Sequence, residues 1–223
     1  MEILLPTYDK YNFLIPANIA CLRDYWPENR DRIVVINGGK KQIQLSDDQG
    51  IQIIYTGEDH NYGSNLIAAI DAAIKSEHIL IWLDDYMLYR VQHDVVNAAQ
   101  KLVERPEIDS VRLSKLYTPD WTVYEEDDRF CYIDKNAQYS FSQQAAFWTT
   151  AAFRRNLREG ENPWETELNG SGRIEHHTTD MGILLGVRQP ALDYHNVLNK
   201  NVFDVNAAKW LFQRASWGNH HEN

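Results

Sequence analysis

Two adjacent carboxylates, Asp84 and Asp85, follow the apolar run Ile79-Leu80-Ile81-Trp82-Leu83 and precede Tyr86. An unbroken apolar run of this length suits a strand buried on both faces, as in the parallel sheet of an α/β protein. Acidic side chains at the carboxyl end of such a strand stand where open α/β sheets bind their ligands. A pair of them can hold a divalent metal, and the metal can hold a phosphate. Asp-Asp after a strand is also a common solvated turn, so the rest of the chain must decide between the two. Other chemistries find less support. His176-His177 has no second pair at zinc-ligand spacing, and no Gly-x-Ser-x-Gly, Walker loop or Gly-x-Gly-x-x-Gly occurs.

The elements that would position the acidic pair can be read around it. Ile3 to Leu5 is a short first strand closed by Pro6-Thr7-Tyr8. Pro16 to Trp26 has helical spacing in Ile19, Leu22 and Trp26, with Pro16 suited to the first position and Pro27 ending it. Ile33 to Ile36 is a second strand, stopped by Asn37-Gly38-Gly39, and Ile51 to Tyr55 a third. After a polar loop from Thr56 to Gly63, Ser64 suits an N-cap for a helix whose face is Leu66, Ile67, Ile70, Ala73 and Ile74. Gly63 and Ser64 at that N-terminus could approach a phosphate, although capping alone accounts for Ser64.

Beyond Tyr86, the spacing predicts a helix over Asp94 to Arg105, a strand over Ser110 to Leu113 and another over Ala145 to Trp148. Thr149 or Thr150 caps a helix through Leu157. Glu125-Glu126-Asp127-Asp128 reads as a solvated turn between strands. Pro163 starts a helix that Gly170-Ser171-Gly172 ends, Arg173 to Val202 is mixed and strand-like, and an amphipathic stretch runs from Val205 to Trp217. Strands alternating with helices predict an α/β fold: a Rossmann-type, mostly parallel sheet flanked by helices, with a mixed α+β lobe. We expect one domain over residues 1–223, a nucleotide-type half over 1–115 and a second half with a C-terminal helix over 116–223.

Composition narrows the class. A chain of 223 residues with 43% hydrophobic and 24% charged residues is an ordinary globular protein able to bury a full core. The formal net charge of −10 argues against a nucleic-acid footprint, although Arg154, Arg155 and Arg158 cluster. Cys21 and Cys131 lack metal-ligand spacing and fit a reduced protein. Neither a signal peptide nor a membrane span is evident, which predicts a cytoplasmic location. The amphipathic C-terminal stretch leaves room for contact with the inner face of a membrane, though a helix packed on the core explains it as well.

Taken together, the first 90 residues resemble a GT-A glycosyltransferase, and most the inverting family-2 group. The resemblance rests on Leu4-Leu5-Pro6-Thr7-Tyr8, on Gly63-Ser64-Asn65-Leu66 with Ala68, Ala69 and Ala72, and on the strand ending at Asp84-Asp85, in that order. The family pattern is Asp-x-Asp; here Tyr86 stands where a further carboxylate is usual, and Ser64 replaces the Arg common before the helix Asn. The second half is similar to small bacterial and phage glycosyltransferase-like proteins in Leu83 to Tyr86, Gln144 to Trp148 and Pro163 to Glu167.

The resemblance implies a nucleotide-sugar donor, a UDP-sugar by family habit, and a Mn²⁺ or Mg²⁺ ion bridging its phosphates. It implies a glycan or lipid-linked acceptor, with a role in cell-surface polysaccharide synthesis. Asp85 would ligate the metal and Asp84 the ribose or the metal, with His195 placed where some GT-A enzymes supply a His; a His bonded to backbone is the plainer reading of that residue. The base for an inverting transfer would be an acid at the start of a helix in the second half: Glu165, Glu167 or Asp180. The helix dipole alone also favours acids at Glu165 and Glu167. Trp164 beside them offers a wall on which a sugar can stack. Thr7, Tyr8, Asn37 and Asn65 would meet the nucleotide. The competing readings are a sugar-phosphate nucleotidyltransferase, which would normally show a Gly-rich basic loop after the first strand, and a catalytically silent sugar- or nucleotide-binding protein.

Overall fold

The computed structural model describes residues 1–45, 49–114, 122–176, 182–199, 202–207 and 209–210. The chain begins with β1 (Glu2–Tyr8), a 3₁₀ turn at Asn12–Leu14 and α1 (Ile15–Tyr25). Then come β2 (Arg32–Gly38), β3 (Ile51–Tyr55), α2 (Tyr62–Ala73), β4 (His78–Ile81), β5 (Tyr86–Val91) and α3 (His93–Val103). The remainder is β6 (Ile108–Arg112), β7 (Phe130–Tyr132), β8 (Ala146–Thr149), α4 (Thr150–Arg155), α5 (Pro163–His176), β9 (Ile183–Val187), β10 (Leu192–Asn196), β11 (Leu198–Asn199) and β12 (Val202–Phe203).

Eight strands form one sheet in the order β3-β2-β1-β4-β8-β6-β9-β7. Only β7 and β8 run against the rest. Strand alternation explains the unbroken apolar runs. Ile3, Leu5, Ile33, Val35, Leu80 and Trp82 face one core with α1 and α3. Leu4, Val34, Ile36, Ile79 and Ile81 face the other, with α2, α4 and α5. The middle of β1, β2 and β4 is thus an unbroken apolar run because helices cover both faces.

Strand order reverses beside β1, which has β2 on one side and β4 on the other. That reversal opens a crevice at the carboxyl ends of β1 and β4. Pro6 contributes to the opening. Leu4 O accepts from Trp82 N at 3.0 Å; by the alternation of a strand, Pro6 faces the same side two residues later, where β4 has already ended. The missing N–H therefore costs no ladder bond at a position where the strands diverge.

Several expectations meet their limits here. Helix α2 starts at Tyr62 with Asn61 as its N-cap, so Ser64 lies inside the helix and does not cap it. Helix α5 passes straight through Gly170-Ser171-Gly172 to His176. A Cβ on Gly170 would meet Phe141 Cδ1 at 2.5 Å, so that glycine is a point of close approach between the helix and the loop before β8. Strand β5 carries no separate signal after Asp84-Asp85; it pairs with β10 in a second, two-stranded sheet. The charged turn at 125–128 is present, with Glu126 paired to Arg105 and Asp127 to Arg129. Arg154 and Arg155 pair with Asp71 and Asp109. No disulfide joins Cys21 and Cys131, both of which are buried. Among the described residues, no helix is long and apolar enough to cross a membrane. Asp180 and most of the stretch from Val205 to Trp217 lie outside the described residues.

Candidate active site

The crevice holds a cleft of about 590 Å³, in the size range of small-ligand sites. Pro6, Thr7, Tyr8 and Tyr11 line it from β1 and the following loop; Asp59, Asn61, Tyr62 and Asn65 from the start of α2; and Leu83 to Tyr86 from the end of β4. Gln143, Gln144, Asn162, Pro163, Trp164, Glu167 and Leu198 close the opposite wall.

The acidic pair sits on a turn held from below. Asn18 is fully buried on the apolar face of α1. Its Nδ2 donates to the carbonyls of Leu83 (2.9 Å), Asp84 (3.1 Å) and Tyr86 (2.8 Å), and its Oδ1 accepts from the Trp82 indole at 3.1 Å. Val197 N donates to Asp85 O at 2.9 Å. With its carbonyls occupied, the turn presents two carboxylates in a fixed arrangement. Thr7 Oγ1 donates to Asp84 Oδ2 at 2.6 Å, which ties the ends of β1 and β4 together.

Neither carboxylate has a basic partner among the described residues. Burial pushes Asp84 up to about 7; the Thr7 hydroxyl opposes that shift and the neighbouring Asp85 charge adds to it. Burial alone pushes Asp85 up to about 6. The Tyr62 phenol is held well above its usual value by burial and then by the charges of Glu167, Asp84 and Asp85. Among the described residues, the cleft lining contains four carboxylates, Asp59, Asp84, Asp85 and Glu167, and no Lys, Arg or His. Such a site attracts cations. The donor chemistry suits a hard divalent ion, which takes one or two carboxylates from a protein and the rest of its oxygens from phosphate or water. Among the described residues, no group of three or more His, Cys, Asp or Glu that could hold a metal ion is found.

Of the residues singled out in the sequence, Thr7, Tyr8, Asn65, Asp84, Asp85 and Glu167 come together in the cleft, along with Trp164. Tyr8 packs edge-on to Tyr11 at 5.0 Å, and burial and the Tyr11 hydroxyl push its phenol up to about 12. Glu167 Oε1 accepts from Ser142 Oγ (3.0 Å) and Gln143 N (2.6 Å).

Others lie elsewhere. Glu165 forms a reciprocal capping box with Asn162: Glu165 N donates to Asn162 Oδ1 at 3.0 Å and Asn162 N to Glu165 Oε2 at 2.9 Å. Asn37 is buried below the cleft and donates to Asp9 Oδ1 at 2.7 Å. Asp9 in turn accepts from the amides of Lys40 and Lys41, fixing the loop after β2. Gly63 packs against the Arg158 carbonyl, which a Cβ would meet at 2.1 Å, and Ser64 Oγ accepts from Gly160 N at 3.0 Å. Both therefore dock α2 on the loop before α5. His195, on β10, packs its ring between Tyr89 (4.6 Å) and Trp210 (4.9 Å), outside the cleft lining.

The structure adds residues that the sequence reading passed over. Asn18 had a legible signal, since a polar residue on a helix face otherwise made of Ile15, Ile19 and Leu22 must find partners. Asp59 and Asn61 had none beyond belonging to a polar loop. Asp59 Oδ1 accepts from Asn65 Nδ2 (2.9 Å) and Asn61 N (3.0 Å), which holds its carboxylate in the wall of the cleft.

No protein-family model matches the chain, and no curated protein matches it. Solved structures do. TarS of S. aureus, residues 1–349, superposes with a TM-score of 0.56 at 12% identity, over 87% of this chain and 60% of that one. The same TarS segment is solved with UDP-GlcNAc, at a TM-score of 0.55. The fold is GT-A. The mannosyltransferase PcManGT of Pyrobaculum calidifontis, solved with GDP-Man and Mn²⁺, matches at a TM-score of 0.55 and 14% identity, over 96% of this chain and 60% of that one. The present chain thus spans about 60% of the length of these GT-A neighbours.

Proposed function

We propose that this protein is a metal-dependent glycosyltransferase that moves a sugar from a nucleotide diphosphate, by family habit a UDP-sugar, to a hydroxyl of a glycan or lipid-linked acceptor. One observation carries the proposal: a half-buried Asp84-Asp85 pair follows β4 into a cleft where, among the described residues, neither carboxylate has a basic partner and no cation lines the wall. A diphosphate could not enter so negative a cleft alone; a divalent ion held by Asp85 and Asp84 would neutralise it and the charge that grows on it as the sugar leaves. The neighbours solved with UDP-GlcNAc and with GDP-Man and Mn²⁺ support the same donor chemistry.

The chain's own residues would do the rest. Thr7, bonded to Asp84, holds that carboxylate in one orientation. Tyr8, Tyr11, Asp59 and Asn65 form the wall available to the nucleoside. Glu167, on the opposite wall, is the base in this reading. Its Oε1 is anchored by Ser142 and Gln143 while Oε2 makes no hydrogen bond among the described residues, leaving it to take the proton of an attacking hydroxyl. Glu165 is the weaker candidate because it does not line the cleft and its carboxylate caps its own helix. A single base across the cleft from the donor favours direct displacement with inversion. Synthesis of a cell-surface polysaccharide is the role that follows from this chemistry by family habit.

The test is a titration of UDP-, GDP- and CDP-sugars with and without Mn²⁺, following binding and slow donor hydrolysis. We expect binding that requires Mn²⁺ and hydrolysis that is lost in Asp85→Ala. Metal-independent binding without turnover would leave a silent binding protein. A preference for free nucleoside triphosphate plus sugar phosphate would instead indicate a nucleotidyltransferase.

A further inference from the structure

The wall facing Asp84-Asp85 has a composition of its own. Trp164 is 63% exposed in the first turn of α5, although an indole of that size ordinarily seeks cover. Gln143, on the lining of the same cleft, is buried, and its side-chain Oε1 accepts from the Tyr62 hydroxyl at 3.0 Å. The other end of that amide, Nε2, is buried without a hydrogen-bond partner. Whichever way the amide is turned, Tyr62 occupies one polar end and leaves the other unmet. A buried polar end of this kind is costly unless something meets it. Glu167 lies beside it with one carboxylate oxygen held and the other without a bond among the described residues.

We infer that this wall is a subsite for a neutral, hydroxyl-rich pyranose, the terminal residue of the acceptor; the inference rests on the transferase reading above and narrows its acceptor class. The Trp164 face covers the C–H face of the ring, the unmet end of the Gln143 amide bonds one ring hydroxyl, and Glu167 accepts from another. Charge selects which sugars enter. Among the described residues, four carboxylates and no basic side chain line the cleft, so a uronate, a sialate or a phosphorylated sugar meets like charge from those four. Before a divalent ion offsets it, that repulsion amounts to roughly a 10-fold or greater loss of affinity for each added negative charge. Neutral sugars carry no such penalty.

The test is ligand-observed NMR on the 223-residue chain with the methyl glycosides of glucose, galactose, mannose and N-acetylglucosamine. Methyl glucuronide and glucose 6-phosphate serve as charged counterparts, and each is titrated alone and with Mn²⁺ plus UDP or GDP. At least one neutral glycoside should bind, and in the metal-free titration the charged counterparts should bind at least ~10-fold more weakly. Binding should disappear in Trp164→Ala, persist in Trp164→Phe, which keeps an aromatic face, and weaken in Gln143→Leu. Nucleotide affinity is measured on the same variants. Equal binding of methyl glucuronide, glycoside binding that survives Trp164→Ala, or no glycoside binding at all would each overturn the inference. A Trp164→Ala variant that loses the nucleotide and keeps the glycoside would reassign the indole to the donor and overturn it too. Glycoside binding without any nucleotide binding would sink the transferase reading while leaving the subsite standing.

Discussion

Asp84 and Asp85 can act together only if the turn beneath them holds still, and a single buried amide does most of that holding. Asn18 satisfies carbonyls at Leu83, Asp84 and Tyr86 while its oxygen fixes the Trp82 indole. Truncation leaves several buried carbonyls without donors, each costing about 1–3 kcal/mol. Asn18→Ser, which keeps one donor, should therefore lose about 2–4 kcal/mol in urea unfolding. Mn²⁺ affinity should fall ~10–100-fold in the variant that remains folded, the usual effect of removing a group that orients a ligand. Electron paramagnetic resonance titration of free Mn²⁺ reads this without turnover; unchanged affinity in a folded, destabilised variant would reduce Asn18 to a core residue. The contrast with Tyr86 is instructive. It stands where a spaced carboxylate is usual in the family, yet it is buried and stacked on Tyr194 at 4.0 Å. Its identity answers to packing. From sequence, Asp84-Asp85 was legible as an acidic strand end, but the partners that distinguish a held pair from a solvated turn, Asn18, Thr7 and Val197, lie in distant segments. No local pattern encodes them.

At the scale of elements, helix α5 tests how glycine is used. Gly170 lies against the Phe141 ring, and an added Cβ would sit 2.5 Å from Cδ1; Gly172, one residue beyond Ser171, has nothing within 4 Å of the same position. Helix propensity favours alanine at both by up to ~1 kcal/mol. We therefore expect Gly172→Ala to stabilise by about 0.5–1 kcal/mol. Gly170→Ala should destabilise by about 1–3 kcal/mol through overpacking. Thermal and urea melts of the two variants measured side by side check this; the same sign for both would refute it. That pair also explains why Gly-Ser-Gly misleads as a helix stop. The breaker signal is real in local terms, but the approach of Phe141 is a tertiary demand invisible along the chain. The strands around it were easier to read because burial on both faces leaves a continuous apolar run, whereas β5, whose burial fades after Leu88, leaves none.

Strand β1 supplies a second prediction at this scale. Glu2 accepts from the amides of Lys75 (2.7 Å) and Ser76 (2.9 Å) and from Arg32, joining the sheet to the turn after α2. Burial pushes its carboxyl up, but the Ser76 amide, Arg32 and the Lys75 amide outweigh it, and the net shift is below the usual 4.5. A carboxylate depressed in the folded state stabilises fully above its unfolded pKa, and the contribution is lost as pH falls through the folded value. Glu2→Gln should thus cost about 1.5–3 kcal/mol at pH 7, the worth of hydrogen bonds to a charged group. The gap from the parent should close as the pH is lowered below 4.5. A gap in urea midpoint that is independent of pH would show that the amide bonds, not the charge, carry the contact.

For the molecule as a whole, the cleft sets ligand binding against stability. A half-buried pair of like charges, without a basic partner among the described residues, raises the energy of the folded state, and removing one of them removes that cost. Asp85→Asn keeps the size of the side chain and its place beside Val197, so the metal-free variant should melt higher than the parent at pH 8. The parent should recover the difference when a divalent ion is supplied. At free Mn²⁺ near 100 times its dissociation constant, linkage stabilises by about 2.7 kcal/mol. For a domain of this size that is roughly 5–10 °C in melting temperature. Chelation by EDTA should return the parent to its lower melting point, and the Asp85→Asn variant should respond to neither treatment. A metal-free Asp85→Asn that melts below the parent would mean that the pair is stabilised by contacts within the protein, and the cleft would then need no cation to be at rest. A Mn²⁺ shift of equal size in Asp85→Asn would move the metal elsewhere on the surface. The expected pattern, higher stability without metal and no response to it, ties the strain in the fold to the chemistry proposed for the cleft.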